Sequence, residues 1–429
     1  MSCVKLSISS YHTDQAKLSE LKSGFNATEL FLSGPLSDED ICLVCKEVLL
    51  QLESLEKITL ELRECTDNGC VHIAHLIEKN SSIRYLSLLL NNVGEKGAQI
   101  LAKGLLKSSL QSFSMYAAQL DLHDQCIGDT GAKYIADALK DHQTLKSLYL
   151  VQNRLSNVGL THIIKNLSSS SVCELDLRTN NIDSEGAKVI SSYLVDNNTL
   201  KKLVLNENRG IQNEGAKEIA LSLTTNSALT QLSLRSCGIG KKGAERFAAC
   251  LVQNTTLQTL DLCGNTEVGD DAVELMSRGL KENRSLLELN LSCCGLGDEG
   301  CAHLAEALLV NETLTHLWLQ KNEIGDGGIL SLSQTIRQNK VLCLLSVSGN
   351  RFSHKGSTAL AQSLSQNDTL TTLDIGGSIN TESISMVDIL LDKNKQLIRY
   401  KNWTKELLQI NKELVQQRDS LKKLVHKKK

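Results

Sequence analysis

Aliphatic residues recur in a fixed order from about residue 27 to residue 380, a short alternating stretch giving way to a helical stripe every 28 residues or so. The alternating half reads L-x-x-L-x-L-x-x-N/C. Clear copies are Leu145-x-x-Leu148-x-Leu150-x-x-Asn153, Leu229-x-x-Leu232-x-Leu234-x-x-Cys237 and Leu314-x-x-Leu317-x-Leu319-x-x-Asn322. The other half reads G-A-x-x-L-A-x-x-L-x-x-N, as in Gly215-Ala216-x-x-Ile219-Ala220-x-x-Leu223-x-x-Asn226. Alternation at positions 4 and 6 predicts a strand, and apolar residues at i, i+1, i+4 and i+8 predict one face of a helix. Each unit is therefore expected to be strand, turn, helix.

Units begin at 27, 55, 83, 117, 145, 172, 200, 229, 257, 286, 314, 342 and 370. The one long step runs from 83 to 117, so residues 110–116 read as an insertion of about seven residues. Roughly seven apolar positions per unit, at about 1.5–3 kcal/mol each, face an ordering cost of about 1–2 kcal/mol for every residue. One unit cannot fold alone; stacked units can, with the Asn or Cys at position 9 satisfying backbone groups where the chain leaves the strand.

This periodicity resembles the leucine-rich repeats of the ribonuclease-inhibitor type. Turns such as Ile127-Gly128-Asp129-Thr130-Gly131 are similar to those of nucleotide-binding oligomerisation-domain-like receptors. The resemblance implies an α/β solenoid, a horseshoe of about thirteen repeats with a parallel sheet on its concave side and helices on its convex side. Residues 1–26 are then an N-terminal cap, 27–396 the repeats, and 397–429 a C-terminal cap with a basic helical tail.

Composition narrows the possible functions. Lys plus Arg number 46 against 49 Asp plus Glu, a net charge of -3, so the whole chain is no polyanion binder and no specific nucleic acid is expected. The 14 cysteines are scattered singly, as small hydrophobes are in a reducing compartment. No apolar run is long enough for export or for crossing a bilayer, so the expected location is cytoplasmic and no membrane span is expected. Asn-x-Ser/Thr sequons such as Asn80, Asn254, Asn283, Asn311 and Asn367 recur with the repeat and read as repeat residues.

Two stretches imitate chemistry. Gly238-Ile239-Gly240-Lys241-Lys242-Gly243 and Gly295-Leu296-Gly297-Asp298-Glu299-Gly300 match a dinucleotide fingerprint, yet the repeat explains both as tight turns. Cys65, Cys70, His72 and His75 lie close in sequence, but Cys65 takes an inward position, and His72 and His75 fall between the apolar Ile73 and Ile77. No metal, cofactor or small-molecule substrate is expected, and no catalytic arrangement stands out.

What remains is a surface. Positions 3, 5 and 7 point away from the leucines and line the sheet, among them Gln119, Asp121 and His123 in the unit begun at 117. Candidate protein-binding residues on this concave face are Tyr149, Asp176, Arg178, Arg235, Asp261 and Trp318, because Trp, Tyr and Arg dominate interface anchors. Residues 401–429 carry nine Lys/Arg against three Asp/Glu, and a stripe from Trp403 to Leu424 at alternating spacings of 4 and 3 has the pattern of a short coiled coil, a route to self-association. The expected function is a non-enzymatic, cytosolic protein-interaction scaffold, in signalling or innate-immune-type regulation. The alternative is a GTPase-activating protein of the Ran-activator type, although the acidic tail common in that group is replaced here by a basic one.

Overall fold

The computed structural model describes residues 3–8, 14–15, 17–18, 28–117, 126–140, 142–376 and 387–399, with 406, 409 and 412. The chain divides into two compact units, Met1–Gly295 and Leu296–Lys429.

In the first unit strand and helix alternate: β1 (Cys3–Ser7), β2 (Glu29–Gly34), α1 (Asp38–Glu47), β3 (Lys57–Thr66), α2 (Gly69–Lys79), β4 (Tyr85–Asn92), α3 (Glu95–Leu106), β5 (Ser112–Ala117) and α4 (Gly128–Leu139). It continues with β6 (Ser147–Val151), α5 (Asn157–Leu167), β7 (Glu174–Asp176), α6 (Ser184–Asp196), β8 (Lys202–Val204), α7 (Gln212–Leu223), β9 (Gln231–Ser233), α8 (Lys241–Gln253), β10 (Thr259–Asp261), α9 (Gly269–Glu282) and β11 (Glu288–Asn290). Each strand pairs in parallel with the next in chain order. The second unit repeats the scheme with α10 (Asp298–Val310), β12 (His316–Trp318), α11 (Asp326–Gln338), β13 (Leu344–Ser346), α12 (His354–Ser363), β14 (Thr372–Asp374) and a helix over residues 387–399. Strands β12 to β14 are likewise parallel neighbours. The α/β solenoid of leucine-rich repeats is therefore the observed architecture. Thirteen strands belong to the thirteen repeats, and β1 precedes them.

The step between units 3 and 4 is corrected by the strand register. Phe113 pairs with Leu86 and Leu148, and Met115 with Leu88 and Leu150, so Leu110-x-x-Phe113-x-Met115 is the repeat and residues 110–116 are not an insertion. The unit starts at 110 rather than 117, and the additional residues fall between β5 and α4. Ser112, Ser114 and Tyr116 hold positions 3, 5 and 7; Gln119, Asp121 and His123 do not, and they lie outside the described residues, as do most of the coiled-coil stripe and tail.

Side-chain ladders hold successive repeats together. At position 9, Nδ2 of Asn208 donates to Leu177 O and Leu205 O at 2.9 and 2.8 Å, and its Oδ1 accepts from the amides of Asn180 and Ile182 in the previous repeat. Where Cys replaces Asn the thiol still serves, Cys237 Sγ reaching Leu205 O at 3.3 Å. The residue before it is left-handed in six repeats without glycine, for example Thr179 at φ 55° and Lys321 at φ 54°, so the ladder holds a backbone conformation that non-glycine residues avoid.

A second ladder runs through the helix ends. Asn254 is buried; its Nδ2 donates to Leu223 O (2.7 Å) and Asn226 O (3.0 Å), while its Oδ1 accepts from the amides of Thr256 and Leu257. Asn80, Asn283, Asn311 and Asn367 are buried in equivalent places, so these sequon asparagines are structural. Asn394, on the helix over 387–399, is also buried but departs from the pattern, donating to Leu370 O at 2.8 Å while its Oδ1 has no partner.

Candidate functional site

The fingerprint glycines are already occupied by protein. The amides of Gly240 and Gly243, at the start of α8, both donate to Asn213 Oδ1, at 2.8 and 2.9 Å, where a dinucleotide phosphate would have to sit. Asp298, inside the second fingerprint, uses its Oδ1 in the same way for Gly325 and Gly328, at 2.6 and 2.9 Å. In Ile127-Gly128-Asp129 the Asp129 Oδ1 likewise accepts from the Ser156 and Gly159 amides, so the turn Asp or Asn is an inter-repeat clamp. Cys65 and Cys70 are both fully buried, and the Cys70 thiol is pushed up by its hydrogen bond with Cys65 and by burial.

The candidate side chains lie on the sheet face turned away from the leucines. On β6, Tyr149 is half-buried and its hydroxyl donates to Glu174 Oε2 at 2.6 Å; burial and that carboxylate push its pKa up to about 12. On β7, Asp176 is only 1% exposed. Arg178 folds over it, with Nε 3.0 and 2.8 Å from the two carboxylate oxygens, leaving the guanidinium side chain 45% exposed. Asp176 therefore differs from its sequence reading: it supports Arg178 from below and offers no surface of its own.

Two strands further on, Arg235 lies 3.7 Å from Asp261 through Nε and, through Nη2, 3.7 Å from Cys263 Sγ. Burial raises the Asp261 pKa, opposed by the Cys263 amide and the Arg235 charge. Ser233 bridges to Asp261 Oδ2 at 3.3 Å. The first unit thus brings Tyr149, Asp176, Arg178, Arg235 and Asp261 onto one face as two arginine–aspartate pairs beside a tyrosine–glutamate bond. In the second unit Trp318 stacks on His316 of the same strand, centroids 5.7 Å apart and 19° from coplanar, with one indole face held by its neighbour.

Sequence reasoning missed a depression of about 220 Å³ on β3 to β6, lined by Lys57, Thr59, Tyr85, Ser87, Ser114 and Tyr149 among others. Its floor contains Ser114, which only the corrected register brings to this face. A phenylalanine and a methionine stand where the motif asks for leucine, so the signal lay in apolar alternation alone.

The Leucine Rich repeat family matches six stretches, residues 168–191, 196–220, 225–248, 253–277, 282–305 and 310–333. The human NACHT, LRR and PYD domains-containing protein 5 is 28% identical over 275 residues, which cover 63% of this chain and 22% of that protein. The Sus scrofa ribonuclease inhibitor is 29% identical over 306 residues, covering 65% of this chain and 67% of the inhibitor. The chain thus spans about a fifth of the length of the first relative. A solved structure titled as the yeast Rad7 and Elc1 complex overlaps 80% of this chain and 90% of its own at 16% identity, with a TM-score of 0.45, too loose a likeness to bear on function. The class defined by fold and surface is a repeat solenoid that presents a sheet face for recognition. The repeats are leucine-rich repeats, similar to those of the ribonuclease inhibitor and of the NACHT-containing relatives.

Proposed function

We propose that this protein is a cytosolic scaffold that holds a protein partner on its open sheet face, the concave face of the sequence reading, in signalling or innate-immune-type regulation. The observation that carries this reading is the placement of Tyr149, Arg178 and Arg235 on or just past β6, β7 and β9, each partly solvent-accessible and each braced by a carboxylate. Bracing lowers the entropy a long side chain loses on contact, which is what an interface anchor requires. Thirteen described cysteines are in no disulfide with one another, which supports a reducing compartment, and no helix among the described residues is long and apolar enough to cross a membrane.

The test is affinity capture with crosslinking of the full chain against Arg235→Glu and against Trp318→Ala. Asp176 and Arg178 are left untouched, because disturbing either side of a pair built on a buried carboxylate would confound folding with binding. Loss of crosslinked partners with an unchanged thermal midpoint supports the reading. Capture that survives both variants moves the site to the helices or to the tail.

A further inference from the structure

The depression over β3 to β6 is built from two rows of side chains in strict register. Thr59, Ser87, Ser114 and Tyr149 stand opposite one another across four strands, and Lys57 and Tyr85 lead the row beside them. Strand spacing of about 4.8 Å sets three small hydroxyl residues side by side as a floor, with tyrosines at two edges.

One atom in that floor has no structural task. Ser114 is 6% exposed, and its Oγ has no hydrogen-bond partner. A buried hydroxyl left unsatisfied is unfavourable, and native structures keep few of them. At the equivalent position of other strands the hydroxyls are used: Ser233 bonds to Asn206 and Asp261, and Ser346 to Asp374.

Charge then selects the occupant. Lys57 is the charged lining residue, and no carboxylate lines the depression. Three nearby acids are engaged, Glu29 with Lys57 at 3.3 Å across an exposed pair, Glu174 with the Tyr149 hydroxyl, and Asp176, in register with Tyr149, with Arg178. An exposed pair of that kind holds its ammonium weakly, so Lys57 can turn to another anion. Hydroxyl donors with one ammonium and no competing acid suit an acceptor-rich group.

We propose that this depression is a specificity pocket that takes an aspartate or glutamate side chain of a protein bound on the open sheet face, its carboxylate accepting from Ser114 Oγ and Lys57 Nζ. The proposal rests on the sheet-face reading above and names the partner chemistry at one point of it. The tyrosine walls flank the aliphatic stem of the acid, and Ser114 gains on binding the partner it lacks in the free chain.

The probe is a random dodecapeptide display library panned against the full chain, with hits remade as synthetic peptides. Enriched peptides should share an acidic residue whose change to Asn or Gln weakens binding tenfold or more. Ser114→Ala and Lys57→Met should each weaken the same peptides at least fivefold, whereas Lys133→Glu, on the exposed side of α4, should leave them unchanged. Thermal midpoints at or above that of the wild type are expected for Ser114→Ala, since the lost hydroxyl bonds to nothing.

The pocket is overturned by a library that yields no binder, by hits without a required acid, or by binding indifferent to Ser114→Ala and Lys57→Met. Peptides lost on Arg235→Glu or Trp318→Ala but indifferent to the two pocket variants would refute the pocket and leave the sheet-face reading standing. Peptides indifferent to all four variants would remove both.

Discussion

Arg178 donates from Nε to both carboxylate oxygens of Asp176, at 3.0 and 2.8 Å, its Nη2 also donates to Oδ2, and its backbone amide adds a fourth bond at 3.1 Å. The pair is asymmetric in burial, with the acid at 1% exposure and the arginine side chain at 45%. Removing the base strands a buried charge, whereas removing the acid returns the guanidinium to water. Arg178→Ala should therefore lower the unfolding free energy by about 3 kcal/mol, and Asp176→Ala by about 1–2 kcal/mol. Urea denaturation of both variants checks the order; equal losses, or a larger loss at Asp176, would contradict it.

That relationship also marks where the sequence stopped being informative. Alternation placed Asp176 on the outward face, correctly as to side, yet nothing in a two-residue period says that the next outward residue will lie down over it. The strands and helices from Leu145 onward were legible because Leu, Asn and Gly recur at fixed places that geometry requires. At 110–117 two readings competed, Leu110-x-x-Phe113-x-Met115 and Ala117-x-x-Leu120-x-Leu122, and each departs from the motif. Backbone pairing of Phe113 with Leu86 decides it, and that is a long-range fact no local window contains. The candidate pocket was hidden for the same reason, since Ser114 enters it only in the corrected register.

The helix-end ladder makes Asn254 a strong test of inter-repeat coupling. Its side chain makes two donor bonds to main-chain carbonyls of the previous repeat and accepts two amides of its own. Asn254→Ala should cost about 2–4 kcal/mol, at roughly 1 kcal/mol for each lost bond. Asn254→Asp should cost at least as much, because an acceptor would replace Nδ2 against two carbonyl oxygens. Chemical denaturation gives both numbers; a loss below 1 kcal/mol for either would mean that water takes over the ladder.

Burial sets an alkaline limit on stability. Burial pushes Cys45, Cys237 and Cys250 up to about 12, against an unfolded thiol near 9. A raised folded pKa means that the native state keeps protons the unfolded chain has released. The contribution is therefore complete below pH 9 and is lost as pH rises toward 12. Each thiol adds a slope of about 1.4 kcal/mol per pH unit in that window. Denaturation midpoints should fall steeply from pH 9 to 11 and recover part of the loss in Cys237→Ala, whose slope should be shallower by one thiol. A flat profile over that range would remove the argument.

Tyr149 should be visible in the same pH range by another method. Burial and the Glu174 carboxylate hold its hydroxyl protonated up to about 12, well above an ordinary tyrosine near 10. Titrating tyrosinate absorbance in the wild type and in Tyr149→Phe should give a difference curve centred well above pH 10. Glu174→Gln should shift that curve downward, because one of the two causes is removed. A difference curve centred at 10 would show that the hydroxyl is free.

Two glycines separate steric from backbone causes of a fixed residue. A Cβ on Gly243 would lie 2.9 Å from Asn213 Oδ1 and from Ile239 Cγ2, and 3.0 Å from Asn213 Cα, while the amide beside it is committed to Asn213. Gly269 has φ +68° and nothing within 4 Å of a Cβ. Gly243→Ala should thus cost about 1–3 kcal/mol by overpacking the inter-repeat clamp, and Asn213→Ala in the same chain should relieve part of that cost. Gly269→Ala should cost about 1 kcal/mol from conformation alone, and Gly269→Asn less, because Asn tolerates the left-handed region. The discriminating measurement is the double-mutant cycle: coupling between positions 243 and 213, with none between 269 and 213, is the expected pattern. Without coupling at 243, the Asn213 contact would not be what keeps that position glycine.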